Sequence, residues 1–291
     1  MPELPEVETI RRGLAELLPN RQIKNVDHNF AKSFPNAEAD VKQFLIGASI
    51  TKVKRRAKVL IIELDSGYCL LVHLKMTGQL VFKSGRASFA AGHPGPSLIG
   101  LLPDRSTRVI INFKDNSRLF FNDQRKFGWM RLLPLAALKQ LDFFKKVGPE
   151  PLSSHFTWPE LKTRLMKRAN SSIKAALLDQ SVIAGVGNIY ADESLWGAKI
   201  HPATLVRQLK DTQIKELYKA LRFILKLAIK KGGSSDKNYL NAKGEPGSYL
   251  SFARVFRRNG QACRRCGHEI IKIRVAGRGT HLCPFCQKLP K

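Results

Sequence analysis

The sequence predicts an α+β protein: an N-terminal β-sandwich with flanking helices, a helical C-terminal region and a closing β-hairpin zinc ribbon. Three observations carry that reading. Apolar runs broken by turn residues dominate the first part of the chain, as strands buried on both faces do. Apolar residues at helical spacing take over after Leu133. Two Cys-x-x-Cys pairs end the chain, at the spacing of a tetrahedral thiolate cage.

Taken in order, residues 4–18 place Val7, Ile10, Leu14 and Leu17 on one helical stripe facing a core. The run Val59 to Leu64, the turn Asp65-Ser66-Gly67 and the run Tyr68 to Leu74 read as a hairpin. Arg108 to Phe113 and Arg118 to Phe121, flanking Asp115-Asn116, read as a second. Gly148-Pro149-Glu150-Pro151 has the composition of a linker. Helical patterns follow at 158–168, 172–180, 188–196 and 211–231, and the polar, glycine-containing stretch from Gly232 to Ser248 interrupts them before the ribbon.

Charge narrows the function. Lys and Arg number 50 against 23 Asp and Glu, a net charge of +27 in a chain of 291 residues that is 43% hydrophobic. The excess is spread through globular sequence rather than held in one tail, as expected of a folded protein that meets a polyanion, with nucleic acid the first candidate. No apolar run reaches transmembrane length. Glu3 and Glu6 stand where a signal peptide would carry basic and then apolar residues, so an intracellular, soluble protein is expected.

Four of the five cysteines form Cys263-x-x-Cys266 and Cys283-x-x-Cys286, with 16 residues between the pairs. Intracellular thiols stay reduced, so a structural zinc is preferred to disulfides, and a full cysteine shell leaves the metal no open position for chemistry. Cys69, alone in an apolar run, reads as a core thiol.

Three segments carry candidate chemistry. The start Met1-Pro2-Glu3-Leu4-Pro5-Glu6 would, once the methionine is removed, expose a proline amine with an ordinary pKa near ~8. Such an amine can attack a sugar aldehyde carbon, and Glu3 and Glu6, on one helical face, could move protons. Local physics alone favours an ordinary helix start, since Pro and Glu suit a first turn. In Gly185-Val186-Gly187-Asn188, two glycines before a helix leave N–H groups open to a phosphate, although the pattern is also common in tight connections. Residues 251–291 hold ten basic residues against Glu269 alone, and Arg278, between Gly277 and Gly279 at an expected hairpin tip, is placed to clamp a backbone.

Together these residues resemble one family. The start PELPEVET, His73-Leu74-Lys75-Met76-Thr77-Gly78, Asp123-Gln124-Arg125-Lys126-Phe127-Gly128, GVGNIYADE, Gly232-Gly233-Ser234-Ser235 and the closing CPFCQ occur in the order found in the formamidopyrimidine-DNA glycosylases, across essentially the whole chain. Leu4 and residues 232–244 favour this purine-repair branch over the sister endonuclease VIII group. The resemblance implies a bifunctional glycosylase and abasic-site lyase that removes oxidised purines (8-oxoguanine, formamidopyrimidines) and cuts the strand by β,δ-elimination. It implies Pro2 as the nucleophile, Glu3 as acid/base at the sugar ring oxygen, Glu6 as a proton shuttle near the base, and Lys58 and Arg278 as further catalytic residues. Lys58 taken alone would be a solvated charge at a hairpin start. Met76, Arg125 and Phe127 match the residues that fill the gap left by a flipped base, although Met76 and Phe127 taken singly suit a core. His73, Lys174, Asn188, Tyr239 and Arg278 match DNA contacts, and residues 234–244 match a loop closing over the lesion. Lys75, Thr77 and Asp236-Lys237-Asn238-Tyr239 depart from the usual family residues, which bears on lesion preference.

The same resemblance implies a catalytic sandwich domain over 1–133, a linker region over 134–151, a helix–two-turn–helix domain over 152–249 and a zinc ribbon over 250–291. One structural Zn2+ with no organic cofactor, damaged double-stranded DNA as partner, no membrane, a monomer, and a bacterial, cytoplasmic, nucleoid-associated location complete the expectation. The alternatives are an endonuclease VIII-like pyrimidine glycosylase, a non-catalytic zinc-ribbon DNA-binding protein, or a zinc-ribbon protein of the translation machinery. The intact Pro2, Glu3 and Lys58 speak against the second, and the third needs neither the N-terminal motif nor the Met-Arg-Phe set.

Overall fold

The computed structural model describes residues 1–85, 88–93, 96–98, 100–234 and 248–290. The chain divides into two compact units, Met1–Lys145 with Lys231–Ser248, and Lys146–Lys230 with Tyr249–Lys291.

The first unit opens with helix α1 (Leu4–Leu17), whose Val7, Ile10 and Leu14 are buried. Strand β1 (Ile23–His28) and short helix α2 (Glu38–Asp40), continued as one π-helical turn over Val41–Leu45, lead into the antiparallel strands β2 (Ile50–Arg56), β3 (Val59–Leu64) and β4 (Tyr68–His73). Then come β5 (Gly78–Lys83), β6 (Ser88–Gly92), β7 (Thr107–Phe113), β8 (Arg118–Asp123) and β9 (Trp129–Pro134). They form a five-stranded sheet ordered β1-β7-β8-β5-β6 and a four-stranded sheet ordered β2-β3-β4-β9.

One apolar core takes Leu60, Ile62, Leu70 and Val72 from the four-stranded sheet, Leu80, Phe82, Val109, Ile111 and Phe121 from the five-stranded sheet, and the α1 stripe. The outer faces are covered as well. Val59, Ile61, Cys69 and Leu71 pack against Leu135, Leu138 and Phe144, which lie on the helical turns after β9 and on α3 (Asp142–Lys146). Val81, Ala90 and Phe120 pack against Leu98, Leu102 and Ile110. This double burial is why β3 and β4 read as continuous apolar runs. Cys69 is a fully buried core thiol, as expected, and burial pushes it up to about 12.

In the second unit, α4 (Trp158–Met166), α5 (Ile173–Leu178), α6 (Asn188–Gly197) and α7 (Asp211–Lys230) enclose a core of Leu161, Leu165, Ile173, Leu177, Tyr190, Leu195, Leu217, Leu221 and Leu225. After α8 (Tyr249–Phe252) the hairpin β10 (Ile271–Val275) and β11 (Arg278–Leu282) closes the chain. Among the described residues, no helix is long and apolar enough to cross a membrane.

Candidate active site and nucleic-acid interface

In the first unit the amino-terminal stretch is tucked in rather than frayed. Pro2 is buried, and Glu3 and Glu6 are each 4% exposed. Glu3 caps α1, and its N–H donates to Glu6 Oε2 (2.8 Å), so the two carboxylates of the motif are fixed by helix initiation itself. The charged neighbours of the Met1 amine are Glu3, Glu6, Lys58 and Arg125. Burial holds that amine below its usual value; the carboxylates pull the other way and the two cations add to the lowering. Lys58 stands in the β2–β3 turn beside Ala57, whose φ is +53°, and is only 7% exposed rather than a solvated charge.

Glu6 has a second partner from far along the chain. The Ser234 N–H and hydroxyl both donate to Glu6 Oε1, at 2.8 and 2.9 Å. Gly233 makes that approach possible: its φ is +89°, and a Cβ there would lie 3.0 Å from the same oxygen. Residues 235–244, with Tyr239, lie outside the described residues.

His73 ends β4, paired with Val59 on one side and Trp129 on the other. Its Nδ1 accepts the Lys75 N–H (3.0 Å), which leaves the ring proton on Nε2. Burial, and after it the charges of Lys75 and Lys58, hold the imidazole down at about 3. The ring is therefore a neutral N–H donor.

Two loops carry the Met-Arg-Phe set. Residues 74–77 join β4 to β5 and residues 124–128 join β8 to β9, each passing from one sheet to the other. Their bases are neighbours, because Gly78 pairs with Asp123 and His73 with Trp129. Asp123, fully buried, holds both: its carboxylate accepts the Thr77 hydroxyl, the Arg125 N–H (3.2 Å) and the Gly128 N–H (2.6 Å). On this frame Met76 is 40% and Phe127 53% exposed, and the Arg125 guanidinium stands 4.9 Å from the Phe127 ring. Large apolar side chains presented on a braced loop are unusual unless something covers them.

In the second unit Lys174, Asn188 and Arg278 come together at the hairpin. Ala276 and Gly277, at φ +48° and +74°, form the tight turn that puts Arg278 exposed at its edge. The carbonyl of Gly279 accepts from Asn188 Nδ2 (3.0 Å) and Lys174 Nζ (3.2 Å). Asn188 opens α6 behind the N-cap Gly187, so one of its amide hydrogens is used to seat the hairpin. Behind it the four cysteine sulfurs lie within 4.8 Å of one another. Tetrahedral zinc with Zn–S near ~2.3 Å sets sulfurs about 3.8 Å apart, so the cage fits one such ion. Trp196 Nε1–H donates to Cys263 Sγ (3.4 Å), the kind of outer support a thiolate site uses.

Residues 1–130 match the formamidopyrimidine-DNA glycosylase N-terminal domain, 147–239 the H2TH domain of the same enzymes, and 260–289 a zinc finger found in FPG and IleRS. The chain belongs to the formamidopyrimidine-DNA glycosylase family. Membership makes it a DNA glycosylase, and the zinc-finger match together with the cysteine cage gives it one structural zinc. The formamidopyrimidine-DNA glycosylase of Pelotomaculum thermopropionicum is 41% identical over 99% of this chain and 100% of its own, and that of Pediococcus pentosaceus 40% identical with the same coverage. A variant of the Lactococcus lactis enzyme bound to Fapy-dG DNA superposes with a TM-score of 0.86 at 36% identity, covering 99% of this chain and 100% of that one. A MutM complex with carbocyclic 8-oxo-G DNA superposes at 0.85 with the same identity and coverage.

Among the formamidopyrimidine-DNA glycosylase positions, Lys174 lies inside the second unit. Its side chain is 0% exposed, and Nζ donates to Asp192 Oδ1 (2.6 Å) and Thr280 Oγ1 (2.7 Å) as well as Gly279 O. In this structure the Lys174 ammonium ties α5 to α6 and β11. The reason is local: Lys174 lies in the first turn of α5, among its buried residues, and Asp192 waits inside.

Three acids in the family motifs had no role assigned from sequence. Asp123 braces the two loops, and Asp192 holds Lys174 and accepts the His281 N–H (2.9 Å). Glu193, fully buried, accepts the N–H groups of Arg254, Val255 and Phe256 and the Tyr249 hydroxyl. Burial raises its pKa against the pull of those donors. Their signal was compositional: acids on apolar elements of a strongly basic chain are there to be buried and paired.

Proposed function

We propose that the chain excises oxidised purines from duplex DNA and then cleaves the strand. The observation that carries this is the amino-terminal stretch, where Pro2 is buried and the charged neighbours of the Met1 amine are Glu3, Glu6, Lys58 and Arg125. Burial, and after it two cations, shift the Met1 amine toward the neutral form, the state a nucleophile needs. The relatives bound to Fapy-dG and carbocyclic 8-oxo-G DNA support the substrate class.

With Met1 removed, the Pro2 nitrogen attacks C1′ of the extruded nucleotide as the bond to the damaged base breaks and the base takes a proton. Glu3 gives a proton to the sugar ring oxygen, the ring opens, and an imine to Pro2 results. Loss of a C2′ proton then expels the 3′ phosphate, and a second elimination expels the 5′ phosphate. Glu6, held by Glu3 and Ser234, shuttles protons near the base, and Lys58 is the cation at the damaged nucleotide. Met76 and Phe127 wedge the vacated stack while Arg125 pairs with the orphaned base. His73, as a neutral donor, and Asn188 and Arg278 hold phosphates, Arg278 drawing the strand into the catalytic geometry. The zinc holds the hairpin that presents Arg278.

The division into a sandwich over 1–133, a linker over 134–151, a helical domain over 152–249 with a closing loop at 234–244, and a ribbon over 250–291 belongs to the same reading. So do action as a monomer and a cytoplasmic, nucleoid-associated location. The test is a duplex with one 8-oxoguanine: released base and a one-nucleotide gap with phosphate at both ends are expected. Binding without base release would reject the assignment.

A further inference from the structure

Arg108, on β7, is a buried cation with no carboxylate partner among the described residues. It is 8% exposed, yet among the described residues its guanidinium donates only to backbone carbonyls: Nε to Asp123 O (2.9 Å), Nη2 to Arg105 O (2.9 Å) and Nη1 to Thr107 O (3.5 Å). Buried charges are ordinarily paired. Among the described residues no acid comes within ion-pair distance of it. Arg108 instead faces an open hollow of about 340 Å³ lined by Arg105, Ser106, Arg108 and Gln124. Arg105 is exposed, and its guanidinium has no hydrogen-bond or ion-pair partner among the described residues. The nearby Asp104 carboxylate accepts the Ser106 N–H and hydroxyl, both at 2.7 Å, and lines a neighbouring hollow with Asp27 and His28. Two guanidiniums and an amide thus border one opening, and its acid is turned elsewhere.

From this geometry we infer an additional phosphate site: the hollow seats one backbone phosphate of the strand opposite the lesion, with Arg105 as the direct contact and Arg108 as the fixed charge behind it. The strand follows from Gln124, which precedes Arg125, the residue read above as meeting the orphaned base. The inference rests on that reading of the 124–128 loop. It also gives Arg108 a second consequence. Its Nε holds the carbonyl of Asp123, whose carboxylate braces both void-filling loops, so a phosphate in the hollow favours the same backbone arrangement that presents Arg125 and Phe127.

The test is equilibrium binding of the full, zinc-loaded protein to a duplex carrying an uncleavable abasic-site analogue, across a salt series. Arg105→Ala should weaken binding about 3- to 10-fold at low salt and flatten the slope of log K against log salt by about 0.9, one phosphate's share. Arg105→Lys should restore most of the slope. Replacing single phosphates of the opposite strand with neutral methylphosphonates should reveal one position at which the wild type weakens and Arg105→Ala weakens no further. An unchanged slope, or coupling only to lesion-strand phosphates, overturns the site. Because the ligand is uncleavable, these outcomes stand apart from failure of the glycosylase chemistry, which the 8-oxoguanine assay reads in wild type.

Discussion

Around the amino terminus, carboxylates and cations compete over one amine, the carboxylates raising its pKa and burial and the cations lowering it. At the Arg278 hairpin the opposite holds. Every buried charge there is closed off: Lys174 by Asp192, and Glu193 by four donors. The exposed Arg278 is displayed on a turn that a cysteine cage and those pairs keep rigid. Perturbed, competing charges suit a group that must change protonation during a reaction. Satisfied charges suit a scaffold. The comparison assigns chemistry to the first unit and grip to the second, and each assignment can be broken separately.

The largest expected effect is at Pro2. Pro2→Gly, or an uncleaved N-terminal extension, should reduce base release by roughly 10³-fold or more, as loss of a nucleophile does, while DNA binding measured by anisotropy stays within a few-fold. Next is Cys283→Ser. Structural zinc supplies on the order of 10 kcal/mol of a ribbon's folding energy, so metal analysis should show zinc lost and tight DNA binding gone. The near-ultraviolet signal of the first unit's aromatic core should persist in the full-length variant. Loss of base release with binding intact in Cys283→Ser would erase the distinction between the units.

Lys174→Met probes the buried Lys174–Asp192 pair. Leaving Asp192 buried without its cation should cost about 3–5 kcal/mol in thermal or denaturant unfolding of the second unit, and adding Asp192→Leu should recover much of it. A stable Lys174→Met protein whose salt slope drops by about one would instead mean that Lys174 reaches a phosphate. A smaller effect is expected at Phe127→Ala. Roughly 1–3 kcal/mol of stacking is at stake, so single-turnover excision from damaged duplex should slow by about ten- to a hundredfold, with far less change at a preformed abasic site. Equal losses on both substrates would mean that Phe127 only supports the loop.

The smallest effect concerns His73. With its folded pKa at about 3 and its unfolded pKa near the usual ~6.5, only the unfolded chain takes up this proton between those values. Its contribution therefore destabilises the fold progressively as pH falls from about 6.5 toward about 3 and is absent above that window. The His73 ring should show no titration by NMR between pH 5 and 8. A midpoint near 6.5 would make it a cation rather than the neutral donor described here.

Legibility followed locality. The β3–β4 hairpin, α7 and the cysteine cage could be read because their signals are contiguous: apolar runs, one helical stripe, paired Cys-x-x-Cys. β1 and β2 could not, since β1 buries only Ile23 and β2 carries Lys52, Lys54, Arg55 and Arg56; each is identified by its partner strand rather than its own pattern. In the site, Pro2, Glu3 and Glu6 were readable as a motif, whereas the Ser234 bond to Glu6 spans 228 residues and leaves no local trace. The Lys174–Asp192 pair, 18 residues apart, leaves no local trace either.

The central claim, that the amine of Pro2 is the nucleophile, is tested most directly by borohydride reduction of the wild-type protein on duplex DNA with one 8-oxoguanine, followed by mass spectrometry of the cross-linked peptide. The account predicts a covalent adduct confined to the N-terminal peptide and located on the Pro2 nitrogen, absent when Met1 or a tag is retained. An adduct on Lys58 or another lysine, or trapping undiminished with a blocked terminus, would contradict it.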